Sequence, residues 1–308
     1  MPKRKKSRAR QAPDVKDYAL AYLEKIKSFR ITRMVIDSFK LITESWGMLC
    51  LAALVDFVFL VVFSLIATTL QTRAFDHLYQ LLMLVGTQTG GLIKEIQNPF
   101  STKLSDLMQN PAFSFHLQQV LFHLLLMFVA LLIFWCIFEG ISWWISHKIK
   151  SKHEKAGLKL TDYLGRFIVS SVFFFIITMG LIAYFLQKYI EVGISIETFL
   201  TQGTVLFIYT AALLIVWYFG FLSYASLSGG PFWNVKQSIV LGVKKIWRMI
   251  PTILFLVVFY YIVLELWTLL LSLTNNYVAF VYGLVIFMPS ITFARVLFIK
   301  AAALLQKP

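Results

Sequence analysis

Six stretches of the chain are apolar almost without interruption, and each reaches the roughly 20 residues that a helix needs to cross about 30 Å of hydrocarbon. They run from 47–70, 117–145, 164–187, 203–227, 250–273 and 277–299. A bilayer core offers no water to unpaired backbone groups, so each stretch is expected as a helix whose N–H and C=O groups bond within the segment. Only Thr274, Asn275 and Asn276 separate the last two, which predicts an antiparallel hairpin with a tight turn.

The polar stretches between these runs have their own pattern. From Lys27 to Glu44, Arg30, Arg33, Asp37, Lys40 and Glu44 recur at helical spacing, while Ile31, Met34, Val35, Phe39 and Ile42 fall largely on the other side. This predicts an amphipathic helix in the membrane interface just before the first span. Ile239, Val240, Val243, Ile246, Trp247 and Ile250 form a similar stripe before the fifth span. A shorter one, Leu160, Tyr163, Leu164 and Phe167, precedes the third. The fold class is therefore an all-α integral membrane protein of six spans arranged as three hairpins, each preceded by a cytoplasmic interfacial helix. Three units of one orientation would be parallel repeats about the membrane normal.

Around this body the chain divides simply. Residues 1–13 are a polybasic arm without apolar periodicity, expected to be disordered, and 14–46 form the interfacial helical segment. Residues 47–300 form the membrane domain and 301–308 a short tail. Within the membrane domain, 71–116 connects the first two spans. Its apolar-rich part, 74–85, is too short to span and precedes the Gly-rich run 86–91. A re-entrant loop would have to bury Lys94 and Glu95, so a small helical cap on the surface is expected instead. No cleavable signal peptide is expected before the first span.

Composition agrees with this picture: 59% of residues are hydrophobic and 14% charged, with a mean hydropathy of +0.75. A soluble enzyme carries about 25% charged residues. The charge balance adds orientation, because Lys and Arg are retained on the cytoplasmic side of spans. Of 29 basic residues, all but Arg73, Lys94, Lys103 and Lys188 fall on one side or at its boundary. Both termini are thus expected in the cytoplasm of a multi-pass cell-membrane protein. Trp46, Trp143, Trp144, Trp233 and Trp247 fall at the same boundary, where indole is favoured.

Candidate chemistry is sparse. An ionisable group inside a span costs on the order of 3 kcal/mol or more, so the four present are the sites to weigh. Asp56 and Arg295 lie where an ion pair would staple the first span to the sixth. Asp56 could instead hold a proton or cation in a water-filled cavity with Glu139 at its mouth. Glu139, near Trp143, Trp144 and His147, is expected at the interface and solvated, and Glu265 is expected protonated or bonded to a Tyr or Ser hydroxyl. His116 and His123, about 10 Å apart along one helix, are too distant to chelate one ion directly, and neither a metal site nor a cofactor is expected. Cys50 and Cys136 fall within spans and suggest no disulfide. Pro289, followed by Ser290 and Thr292, is a break in the last span whose freed carbonyl a hydroxyl can repair.

With no catalytic constellation, the expected function is that of a non-enzymatic structural or accessory protein acting through its basic cytoplasmic face. Lys3, Arg4, Lys5, Lys6, Arg8, Arg10, Lys244, Lys245 and Arg248 are the residues expected to meet anionic lipid headgroups. Protein partners or a second copy of the chain suit the same face; nucleic acid is not expected. The alternative is a small-solute or ion transporter using Asp56 and Glu265. A cysteine at Ser105 should react with an impermeant maleimide only from outside intact cells, and one at Ser151 only after the cytoplasmic side is opened; the reverse would invert the assigned orientation.

Overall fold

The computed structural model describes residues 30–89, 109–151, 159–194, 201–226, 231–273 and 276–306. The basic arm from Lys3 to Arg10, the Gly90–Gly91 pair and the turn residues Thr274 and Asn275 lie outside them. All regular structure among the described residues is helical. In chain order the helices are α1 (Arg30–Glu44), α2 (Trp46–Thr89), α3 (Pro111–Phe134), α4 (Gly140–Lys150), α5 (Leu160–Ile194), α6 (Gln202–Ala225), α7 (Pro231–Lys244), α8 (Ile246–Leu273), α9 (Asn276–Tyr282) and α10 (Met288–Gln306). A π-turn, Trp135–Glu139, joins α3 to α4, and another, Gly283–Phe287, joins α9 to α10. Among the described residues six helical segments are long and apolar enough to cross a membrane, which makes this a multi-pass membrane protein.

The first span is longer than its apolar run. α2 continues unbroken for 44 residues to Thr89, about 66 Å at 1.5 Å per residue. Residues 74–85 therefore prolong the spanning helix and are not a separate cap element. A helix outlasts hydrocarbon because its backbone bonds are internal. α3 begins outside its apolar run too, where Pro111 occupies the first turn and the Asn110 carboxamide oxygen accepts from the backbone N–H of Ala112 at 2.9 Å.

The segments before the first and fifth spans are built alike. α1 stops at Ser45 and α7 at Lys245, single turn residues whose carbonyls accept from Met48 N–H at 2.9 Å and Arg248 N–H at 3.0 Å. Ser38, Ile42, Leu49 and Ala52 are buried around the first junction, and at the same intervals Ser238, Gly242, Met249 and Thr252 around the second. Ser38 and Ser238 both turn their hydroxyls back onto carbonyls of the preceding turn, Met34 and Val235. Before the third span the chain does otherwise: α5 starts at Leu160 and runs into the membrane without a break.

α10 is the central post. It packs against α1, α2, α4, α6 and α8, and Phe293 to Ile299 are buried without exception. Ala294, Ala301 and Ala302 keep that helix slim enough for close neighbours. A π-turn leads into the helix just before Pro289, and Ser290 Oγ donates to Phe287 O, 2.6 Å away. α8 is different: Leu254, Val257, Val258 and Tyr261 are exposed, as suits a lipid-facing helix.

At Gly242 a glycine is required by close approach. A Cβ there would lie 2.7 Å from Phe219 Cε1 and 3.0 Å from Leu222 Cδ2, and Tyr218 OH donates to the Gly242 carbonyl at 3.2 Å. Overpacking costs about 1–3 kcal/mol, so Gly242→Val should lower the unfolding midpoint in detergent, whereas the same change at Gly165, which has open space around it, should shift it far less.

Candidate functional site

Three of the four intramembrane ionisable residues converge. Asp56 comes from α2, Glu139 from the last position of the first π-turn and Arg295 from α10, and each is at most 9% exposed. Arg295 Nη1 donates to Asp56 Oδ2 at 2.7 Å and Nη2 to Asp56 Oδ1 at 3.0 Å, a two-pronged pair. Nη2 also donates to both Glu139 oxygens, each at 2.8 Å. Ser142 on α4 adds a hydroxyl bond to Asp56 Oδ1 at 2.7 Å. Asp56 lies ten residues beyond Trp46, about 15 Å along α2, which is half the hydrocarbon thickness.

Glu139 is not solvated at the interface. The π-turn explains the difference: one extra residue per turn rotates everything that follows, so Trp135–Glu139 carries the carboxylate into the bundle toward Arg295. Trp143 and Ile145, which follow, are buried as well. Two carboxylates around one guanidinium leave a surplus negative charge unless one proton is held between them. Tyr260 on α8 stands next to the cluster electrostatically and donates to Ser290 O at 3.3 Å.

Glu265 stays apart. It is exposed, its backbone carbonyl accepts from Thr268 Oγ1 at 2.9 Å, and its side chain makes no hydrogen bond or ion pair among the described residues. It lies 18 residues beyond Trp247, about 27 Å, near the far edge of a roughly 30 Å core. The bond to a Tyr or Ser hydroxyl expected from the sequence is not seen among the described residues.

A second polar network closes the same end of the bundle. Helix ends leave carbonyls without partners. The Tyr224 carbonyl in the last turn of α6 lies 3.0 Å from His147 Nε2 of α4 and accepts from Tyr163 OH of α5 at 3.3 Å. Lys245 Nζ donates to the carbonyl of Leu305, at the end of α10. Lys245 is thus partly committed inside the protein, whereas Lys244 and Arg248 are exposed. None of these caps is visible in spacing or composition, because each depends on which helix ends become neighbours.

Among the described residues, two cavities lie away from the cluster. One of about 240 Å³ is lined by Phe128, Trp135, Phe174, Trp217 and Phe221 among others, the other of about 250 Å³ by Phe185, Tyr189, Val205 and Tyr209 among others. Asp56, Glu139 and Arg295 line neither. Cys50 and Cys136 are unpaired. Among the described residues no group of three or more His, Cys, Asp and Glu side chains could hold one metal ion. No family model, curated protein or solved structure matches this chain.

Removing one member of a buried ion pair costs about 3–5 kcal/mol, and replacing the whole set by apolar residues is often neutral. Arg295→Met alone should therefore abolish folded, monodisperse protein in detergent. The triple variant Asp56→Leu, Glu139→Leu, Arg295→Met should recover it, as measured by size-exclusion chromatography and unfolding midpoint.

Proposed function

We propose that the protein is a non-enzymatic structural or accessory component of the cell membrane, with six spans in three hairpins and both termini in the cytoplasm. The interfacial segments α1 and α7 lie at the cytoplasmic boundary, where Lys244 at the end of α7, Arg248 in the first turn of α8 and the basic arm meet anionic headgroups or protein partners with acidic surfaces. The observation that carries this reading is the use made of the intramembrane charges. Arg295 bonds to Asp56 and Glu139 at 2.7–3.0 Å, so these groups tie α2, the π-turn and α10 together. Trp46 and Trp247, 61% and 80% exposed, suit the headgroup level beside those basic residues.

One observation favours a second reading, ion or small-solute transport through Asp56. The cluster has one more acid than base, and a site that holds a single exchangeable proton is what a coupled carrier needs. Against it, Asp56, Glu139 and Arg295 line neither of the two cavities described above.

Two measurements separate the readings. Quenching of interfacial Trp fluorescence by brominated lipid should be stronger with anionic phosphatidylglycerol than with phosphatidylcholine. At about 1 kcal/mol per basic residue near the surface, removing Lys244 and Arg248 together should cut that preference by roughly an order of magnitude or more. Vesicles containing the protein should show no proton or cation flux above empty vesicles; flux that disappears in Asp56→Asn would overturn the accessory reading.

A further inference from the structure

A second convergence of chemistry lies at the other end of the α2–α3 pair, far from the ionic cluster. His77 of α2 meets His116 of α3 with their Nδ1 atoms 3.0 Å apart. The His123 ring stacks on His77, 5.6 Å between centroids and 28° between planes, and its Nδ1 lies 2.7 Å from the Gln119 carbonyl. Phe115 packs edge-on against both His77 and His116. The spacing of His116 and His123 excludes a shared ion between those two. The unbroken length of α2 is what delivers a third histidine beside them.

Two imidazole nitrogens face each other at this separation when an N–H proton of one neutral ring, or a metal ion bound by both, lies between them. Bonds of about 2.0–2.1 Å from one ion to two imidazoles set the nitrogens about 3.0 Å apart at a right angle and about 3.4 Å apart at a tetrahedral angle. The observed separation fits the first. Exchange between the two states balances. In the metal-free pair one ring donates its Nδ1–H to the lone pair of the other. With an ion bound both rings carry their proton on Nε2, so one proton moves from Nδ1 to Nε2 and none is released.

We propose that His77 and His116 form a two-histidine site for a divalent transition-metal ion of the copper and nickel class, whose square-planar or tetragonal coordination sets neighbouring ligands at right angles, clasping α2 to α3 beyond the membrane boundary. Water completes the coordination. His77 lies 31 residues beyond Trp46, about 46 Å along α2 against roughly 30 Å of hydrocarbon, and both ligands are partly exposed. Arg73, one turn before His77, and Asp76, its neighbour, are exposed and of opposite sign, leaving little net charge at the site. No three described side chains can share one ion, so His123 supports the His77 ring by stacking and is not a ligand. Two neutral nitrogens select copper, nickel and zinc over magnesium and calcium, which prefer oxygen.

The test uses the full-length chain, free of any histidine tag, in detergent. Calorimetric titration should find one saturable Cu²⁺ site per chain and none for Mg²⁺. His77→Gln and His116→Gln should each raise the dissociation constant at least tenfold, while His123→Gln retains the site. Bound Cu²⁺ should show two imidazole nitrogens by electron paramagnetic resonance of the unmodified chain, a readout that needs no variant to fold. Absence of saturable Cu²⁺ binding, an unchanged site in His77→Gln or His116→Gln, loss in His123→Gln as large as in the ligand variants, or fewer than two coordinated imidazoles would each overturn the proposal.

Discussion

A guanidinium held halfway through hydrocarbon must carry its own anions with it. Arg295 cannot lose its charge, and lipid offers nothing to solvate it, so the bundle around α10 is arranged to deliver acceptors at that level. Asp56 arrives on α2 and Glu139 through a π-turn, and Ser142 one turn further along α4 bonds to Asp56. Once these are fixed, the relative heights of α2, α4 and α10 are fixed too. Phe293, Val296 and Leu297 of the buried run then pack against Leu49, Ala52, Ile145 and Ile149 in that register.

The same constraint, that no polar group may be left alone in hydrocarbon, governs the helix ends. Tyr224 O and Leu305 O would be orphan carbonyls of α6 and α10; His147, Tyr163 and Lys245 answer them. Several buried serines work similarly over shorter range. Ser38, Ser146 and Ser238 return their hydroxyls to carbonyls of their own helices, and Ser223 bonds to Ser170 across the α5–α6 contact at 3.1 Å. A bundle of this kind is specified less by apolar burial, which lipid supplies equally well, than by where its few polar atoms find partners.

That explains which parts of the fold are legible in the sequence. The six spans follow from one-dimensional hydropathy, and the proximity of Asp56 and Arg295 follows from matched depth. Glu139 does not follow, since a π-turn is invisible in composition and changes which side of the helix a residue occupies. The overlength of α2 does not follow either: the apolar run marks where lipid begins and ends, whereas the helix ends only where its backbone bonds do. His77 is missed for the same reason. Its partners on α3 are far away in sequence and meet it only because α2 overshoots the membrane.

The junctions at Ser45 and Lys245 bear on function through what they do not share. Ser38, Ile42, Leu49 and Ala52 have positional counterparts in Ser238, Gly242, Met249 and Thr252, all buried, so the two units use one packing scheme. Asp56, by the same intervals, corresponds to Leu256. A carrier built on parallel repeats would be expected to place equivalent polar groups around its axis. Asp56 departs from the scheme where Arg295 requires an anion, whereas Glu265, whose counterpart is Leu65, departs from it away from that cluster. The Asp56 charge is therefore matched to a packing demand of one helix and not to a symmetry-related path through the protein, which favours a role in holding the bundle over one in moving an ion.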